Sequence, residues 1–440
     1  MKKLGAALVG LILLAACQKK EVTVNVTVKD KTLDSVSINV MDIDTLIALD
    51  AEGKAAVTLP VKEAQYGMAQ YKWKRSPVYF EPGKDISITW DMTPSELTIA
   101  FEGENADKNN FINSKEMKGP VMRDYGRTED ELLKQLEEYQ TEDFRILESK
   151  GFDKTFVEKE KQRVAYWIYG ILWQYASSKE CSDAVYTKLQ SLVKEDEWLL
   201  QLSEYTNYMR GVVSVIANRG QSTSNANERT VNEMEYVINN IKNQKLKEFL
   251  LGITAISYIN DKGVNNTDRI KALVEENITD KEILAAFQTT YANGATLAQG
   301  CLSPDFSMTS IDGKEYTLAD FKGKVVYIDI WATWCAPCQE ELPKLQKLEK
   351  AFQGTNICFV SMSIDKDKAA WEKQVKDQKL GGIQLYAGPD SKFCDDYKVK
   401  GIPHFILIDA EGNIIEANMT RPSEDNTIEA LSMVAEPLEQ

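Results

Sequence analysis

The sequence predicts a multidomain chain, with an N-terminal antiparallel β-sandwich-like domain, a central α-helical region and a C-terminal α/β domain. Three observations predict it. Between Glu21 and Phe101, apolar residues recur at every second position. From about Asn105 to Asn293 the spacing turns helical. The run Lys324-Val325-Val326-Tyr327-Ile328-Asp329-Ile330-Trp331 is almost wholly apolar or β-branched and leads into a Cys-x-x-Cys pair, Cys335 and Cys338. A run of that kind reads as a strand buried on both faces, as in parallel α/β sheets.

The chain opens with Met1-Lys2-Lys3 and an apolar stretch from Leu4 to Ala16, too short to span a bilayer and patterned like an export signal. Leu14-Ala15-Ala16-Cys17 resembles a bacterial lipobox. Residues 1–17 are therefore expected to be a lipoprotein signal ending at a lipidated Cys17, with an ordinary cleaved signal as the alternative. Several acyl chains would hold the protein on a membrane, where one would not. Residues 18–21 would be a short tether, and no later stretch is long and apolar enough to span a bilayer.

The β-rich domain is placed at 21–104. Its alternating sets are Val22, Val24, Val26, Val28; Val36, Ile38, Val40; Ile86, Ile88, Trp90; and Leu97, Ile99, Phe101, with turn signals at Glu52-Gly53 and Pro82-Gly83. The helical region is placed at 105–293. Its richest segment, Val164 to Tyr175, has aromatics that could line a peptide groove, although a buried seam between helices is the preferred reading. Residues 294–303 read as a linker and 304–440 as the C-terminal domain. There, strands are expected near Val325–Trp331, Ile357–Ile364 and Phe405–Asp409, and helices near Ala336–Phe352, Lys368–Lys379 and Ser423–Ala435. A terminal hairpin turns at Glu411-Gly412.

Chemistry concentrates in Trp331-Ala332-Thr333-Trp334-Cys335-Ala336-Pro337-Cys338. Two cysteines so spaced at a helix start can close a small disulfide. The free N–H groups and partial positive charge of the helix N-terminus favour the thiolate, which is the attacking species. Strand, Cys-x-x-Cys and helix in that order point to a thiol-disulfide oxidoreductase.

From about Cys301 to Gln440 the chain resembles the thioredoxin superfamily, in particular its TlpA/ResA-like branch of membrane-tethered reductases. The matching features are Leu318-Ala319-Asp320-Phe321-Lys322-Gly323-Lys324 before the first central strand, the redox motif itself, Gly401-Ile402-Pro403, and the strand Phe405-Ile406-Leu407-Ile408-Asp409. The residues before 104 look like the β-rich module of many exported lipoproteins, closest at Phe80-Glu81-Pro82-Gly83. The resemblance implies a thioredoxin-like fold at 304–440 and catalytic roles for Cys335, Cys338, Asp329 and Glu341. Cys335 would attack, and Cys338 would resolve the mixed disulfide. Asp329 stands where thioredoxin carries its buried acid and Glu341 where the ResA-like branch carries its own; either could take the proton that Cys338 loses. Glu340 reads as solvated. Pro403 would be cis, with the Ile402 backbone pairing with an extended substrate as an added strand. Trp334 joins Ile402 and Pro403 on the side a substrate would meet, while Trp331 and Trp334 together read as packing and a shield over Cys338. Pro343 should kink the helix.

His404 is the only histidine, which removes His-based metal cages and most nucleophile–histidine systems. It either influences the sulfurs' titration or is a strand histidine with a satisfied hydrogen bond. Peroxidases share the fold, but Ile328 and Ala332 stand where their proline and threonine would be. No metal and no cofactor beyond the Cys335–Cys338 disulfide is expected. Of seven cysteines, Cys181, Cys301, Cys358 and Cys394 remain after Cys17 and the redox pair; Cys358 reads as an inert core thiol, and the sequence does not pair the four.

A 43% hydrophobic content argues for a folded body rather than disorder. A net charge of −15, two units more negative without Lys2 and Lys3, disfavours nucleic acid and anionic lipid as partners. The favoured function is reduction of protein disulfides in the cell envelope, with protein thiols as partners and a membrane thiol donor supplying electrons. The alternatives are a dithiol oxidase or isomerase, and a membrane-anchored client-binding protein with an accessory redox domain.

Overall fold

A computed structural model describes residues 20–29, 31–40, 43–91, 98–117, 119, 128–221, 223 and 225–438. Cys17 and its lipobox lie outside the described residues, as does Leu97. Contacts divide the chain into two compact units, to Arg219 and from Gly220, so that the helices of 105–293 are shared between them.

Among the described residues the first unit contains eight strands: β1 Glu21–Lys29, β2 Ser35–Val40, β3 Ile43–Ala48, β4 Lys54–Pro60, β5 Gln65–Tyr71, β6 Lys74–Phe80, β7 Ile86–Asp91 and β8 Thr98–Gly103. They form two four-stranded sheets, ordered β4-β1-β7-β8 and β3-β2-β5-β6. The alternating valines of β1 and residues such as Ile38, Tyr71, Val78 and Trp90 meet in one hydrophobic cluster drawn from both sheets. One expectation is corrected: the region is not wholly antiparallel. β1 and β7 pair in parallel, Val24 opposite Ile86, because all four strands of the other sheet, and β4, are laid down between them and the chain re-enters in the same direction.

Helices α1 Ala106–Ile112, α2 Glu129–Ser149, α3 Lys154–Ser178, α4 Asp183–Ser191 and α5 Ser203–Ala217 complete this unit. The two free sheet edges next to α1 are closed by its asparagines. The Asn109 amide accepts from Tyr79 N–H and donates to Tyr79 C=O on β6, and the Asn110 amide does the same for Phe101 on β8. Covering an edge strand in this way removes a template for unwanted pairing. In the interior, Glu160 on α3 accepts from Tyr66 Oη at 2.7 Å and from Arg163 at 2.9 and 2.6 Å, while Arg163 also donates to Glu204 on α5 at 2.6 Å. The richest aromatic helix, α3, buries Tyr166, Ile168, Tyr169, Leu172 and Tyr175, the seam preferred from the sequence.

The second unit begins with α6 Ala226–Asn240, α7 Gln244–Lys262, α8 Asp268–Asn277 and α9 Lys281–Ala295. An α/β domain follows: β9 Ser307–Ser310, β10 Glu315–Thr317, β11 Val325–Trp331, α10 Ala336–Ala351, β12 Ile357–Ser363, α11 Lys368–Gln378, β13 Ile383–Tyr386, α12 Lys392–Asp396, β14 His404–Ile408, β15 Ile414–Met419 and α13 Asp425–Val434. Its seven strands are ordered β10-β9-β13-β12-β11-β14-β15, with β11, β12 and β13 parallel. Every residue of β11 is buried, as an all-apolar central strand should be. Val326, Ile328 and Ile330 enter one core cluster with Phe306, Phe393 and Tyr397; Val325 and Tyr327 enter another with Leu345, Leu348 and Leu431. Cys181, Cys301, Cys358 and Cys394 are all free thiols. Among the described residues, no helix is long and apolar enough to cross a membrane.

Candidate active site

The site forms where β11 hands the chain to α10. Beyond Trp331 the backbone closes a turn, with Cys335 N–H donating to Ala332 C=O at 3.2 Å. Cys335 is then the N-cap of α10, and its Sγ accepts from Cys338 N–H at 3.2 Å. Pro337 sits in the first helical turn, where a missing N–H costs nothing. Cys335 and Cys338 form a disulfide, with Cys335 5% exposed and Cys338 1%. The partial positive end of α10 lies beside both sulfurs, an environment that favours the thiolate once the bond is reduced. α10 continues through Pro343 to Ala351.

The Ile402–Pro403 peptide is cis. The Ile402 carbonyl oxygen lies 3.7 Å from Cys335 Sγ, so the loop preceding β14 faces the attacking side of the disulfide. Trp331, Trp371, Leu342 and Val375 pack around the two cysteines, with Ile402 at their margin. Trp331 is wholly buried, whereas Trp334 is 68% exposed beside Cys335. The structure thus separates the two indoles into one core residue and one surface residue.

The two acids lie in different surroundings. Asp329 is buried in β11, two residues beyond Tyr327 on the same face. Burial pushes its carboxyl up to about 8, helped by the nearby charges of Glu341 and Glu349 and opposed by a hydrogen bond with Ser361. Glu341, also buried, accepts from Ser423 N–H at 3.0 Å and Ser423 Oγ at 2.8 Å, and lies 3.2 Å from Lys344 Nζ. It fixes the segment before α13. Glu340 is exposed. His404 opens β14 with Nε2 3.0 Å from the Ala417 carbonyl oxygen; burial lowers its pKa. That is the satisfied strand histidine foreseen as one of its two readings.

Three further residues belong to the site's frame and were not singled out from the sequence. Asp365, just beyond β12, binds Thr333 of the redox loop through its carboxylate. Gln339 on α10 donates to Ala332 and Thr333 C=O, both at 3.3 Å. Glu349, at the far end of α10, lies against Gly381, where a Cβ would come within 2.1 Å of its carboxylate; burial pushes it up to about 7. None of the three sits in a motif, and Asp365 lies in the charged run Asp365-Lys366-Asp367-Lys368, which by itself reads as a solvated loop.

Residues 298–431 match the Redoxin family. Thiol-disulfide oxidoreductase ResA of Bacillus cereus strain ATCC 10987 is 30% identical over 136 residues, covering 28% of this chain and 78% of that protein. ResA of Bacillus cereus strain ZK / E33L is 28% identical over 130 residues, covering 30% of this chain and 75% of the relative. Among solved structures, a thiol:disulfide interchange protein from a Bacteroides species is 30% identical, covering 32% of this chain and 91% of its own, with a TM-score of 0.29.

Proposed function

We propose a direction and a place for the chemistry of a chain that belongs, through its C-terminal domain, to the TlpA/ResA-like thiol-disulfide oxidoreductases of the thioredoxin superfamily. It is an enzyme of protein thiols and disulfides. In the proposed direction it reduces protein disulfides in the cell envelope. The observation that carries this reading is the Cys335–Cys338 disulfide at the start of α10, with Cys335 Sγ 3.7 Å from the carbonyl oxygen of Ile402 before cis-Pro403.

In the reduced enzyme the Cys335 thiolate attacks one sulfur of the substrate disulfide, forming a mixed disulfide and releasing the other sulfur as a thiolate. Cys338 then attacks Cys335 Sγ, closing the intramolecular disulfide and releasing the substrate's second sulfur; two electrons have passed to the substrate. The substrate strand runs along Ile402 and Pro403 in the manner of strand addition, against the exposed face of Trp334. Asp329 holds or takes the Cys338 proton, a role supported by its deep burial in β11 and a carboxyl pushed up to about 8. Glu341 serves as a second acid on the same helix as Cys338.

The dithiol is restored by a membrane thiol donor. The short basic-then-apolar lead and the lipobox support a lipid anchor at Cys17 and a position in the envelope facing the periplasm or cell surface. The β-rich region is read as a sandwich, supported by the single cluster that both its sheets share.

The test is the reduction potential of Cys335–Cys338, measured by equilibration against defined thiol buffers. A value near that of thioredoxin, about −270 mV, fits a reductant; a value near that of strong oxidants, about −120 mV, reverses the electron flow and makes the protein a disulfide-forming enzyme.

A further inference from the structure

We propose that Asp365 is a positioning residue, whose carboxylate holds the Thr333–Trp334 loop so that Trp334 and Cys335 together face an incoming polypeptide. The proposal rests on the oxidoreductase reading above and adds a residue to it.

Asp365 follows the end of β12, and the parallel register brings that end beside the end of β11: Trp331 stands opposite Ser363, and Ile364 N–H donates to Trp331 C=O at 3.0 Å. The side chain, on a residue 1% exposed, turns back across this junction. Its two oxygens accept from Thr333 N–H at 3.2 and 3.0 Å; one also accepts from Thr333 Oγ1 at 2.7 Å and the other from Ser363 Oγ at 2.8 Å. Ser363 Oγ in turn accepts from Asp365 N–H at 3.1 Å. The Asp365 carbonyl receives Tyr386 Oη at 2.8 Å, and the Tyr386 ring lies 5.4 Å from that of Trp371 in the wall around the cysteines.

A buried carboxylate with this many donors forms charge-assisted bonds, stronger and more directional than neutral ones. The opposite side of the loop is held by Gln339, which binds the carbonyls of Ala332 and Thr333 and is itself held by Gln374 Nε2 at 2.5 Å. Thr333 is thereby fixed through its N–H, its hydroxyl and its C=O. The residue after it, Trp334, is a large indole left 68% exposed, with no aromatic or cation–π partner among the described residues. Its placement comes from the backbone beneath it, and Asp365 supplies the N–H side of that support. A polypeptide substrate must meet Trp334 and Ile402 at once, whereas a small disulfide needs only the sulfur.

The test compares Asp365→Asn and Asp365→Ala with Thr333→Ser in the full chain. Asparagine keeps the shape but presents one acceptor oxygen instead of two; serine keeps the N–H and hydroxyl. Four readouts are taken: KM and kcat for insulin disulfides, the rate of the reduced enzyme with a small aromatic disulfide, the pH profile of Cys335 reactivity, and hydrogen exchange at the Thr333 amide. In the Asp365 variants, KM for insulin should rise on the order of tenfold with kcat and the small-disulfide rate little changed, Thr333 exchange should accelerate, and Thr333→Ser should behave as the parent. Unchanged exchange in both Asp365 variants overturns the proposal. So does faster exchange with an unchanged KM, or a shift in the pH profile of Cys335 reactivity without a KM effect, since the carboxylate would then act as a charge. A parent chain that does not turn over insulin sinks the reductase reading, and Thr333 exchange then decides the loop support on its own.

Discussion

Two places in this molecule take acids out of water and treat them oppositely. Beneath the β-rich sheets, Glu160 accepts from Nε and Nη2 of Arg163 and from the hydroxyl of Tyr66, while Arg163 reaches Glu204 with Nη1. At the redox site, Asp329 is as deeply buried, yet the charges that reach it most strongly are those of Glu341 and Glu349, of its own sign. The first arrangement gives each acid a donor and joins β5, α3 and α5 through them. The second raises the carboxyl's pKa to about 8, which is the property the proposed proton-holding role of Asp329 calls on. Burial is the largest cause of the upward push at Asp329, and the like charges of Glu341 and Glu349 add to it, whereas Glu160 is given the opposite charge of Arg163 to meet.

The contrast breaks most visibly at Arg163. Arg163→Met leaves Glu160 buried without its cation and should destabilise the first unit by about 3–5 kcal/mol in denaturant unfolding. A loss below 1 kcal/mol would mean the cluster is not the joint described. Asp329→Asn sharpens the comparison through pH. The folded carboxyl titrates at about 8 against 3.8 in the unfolded chain, so between these values the unfolded state has released a proton that the folded state still holds. The Asp329 contribution to stability is therefore greatest below pH 4, falls as pH rises, and levels off above about 8. Relative to the variant, the oxidised wild type should lose stability across that window with a ceiling of about 1.4 kcal/mol per pH unit. Parallel curves for the two proteins between pH 5 and 8 would remove Asp329 as a proton holder. The smallest effect is expected at Glu341, which is hydrogen-bonded but not isolated. Glu341→Gln keeps one acceptor for Ser423 and should cost about 1 kcal/mol, read as a lower thermal midpoint.

Legibility followed the range of the interactions. β11, α10, β12, α11 and β14 were readable because each carries a local signature: a buried apolar run, a helical period, a Cys-x-x-Cys opening. β10 and β13 are three and four residues long, lie beyond the central strands and have no room for a period; they exist because the sheet offers them partners. β5 and β6 were obscured for another reason: Gly67 and Pro77 interrupt them, and they hold their places through mutual pairing. Within the site, the cysteines and Pro403 belong to motifs and could be named in advance. Asp365 could not, because its meaning lies in a register that sets residue 363 opposite residue 331. The polar cluster Gly220-Gln221-Ser222-Thr223-Ser224-Asn225 reads as a loop between helices, but a loop signal does not distinguish a turn within a unit from the division between two units that contacts place there.

The parallel pairing of β1 with β7 has a consequence for how the chain is made. Synthesis delivers β1 first, yet its partner strand begins at Ile86, 62 residues after Val24, so that for much of the time in which the first unit emerges from the ribosome the four valines of β1 lack one of their two flanking strands. Antiparallel β4 arrives earlier and can shelter one edge. The other stays open to any extended segment nearby, including another copy of itself, until residue 91 is out. Loop-closure entropy also makes distant parallel pairing intrinsically slow. The N-terminal strand of this protein is thus a part of the nascent chain that gains from shelter until β7 arrives.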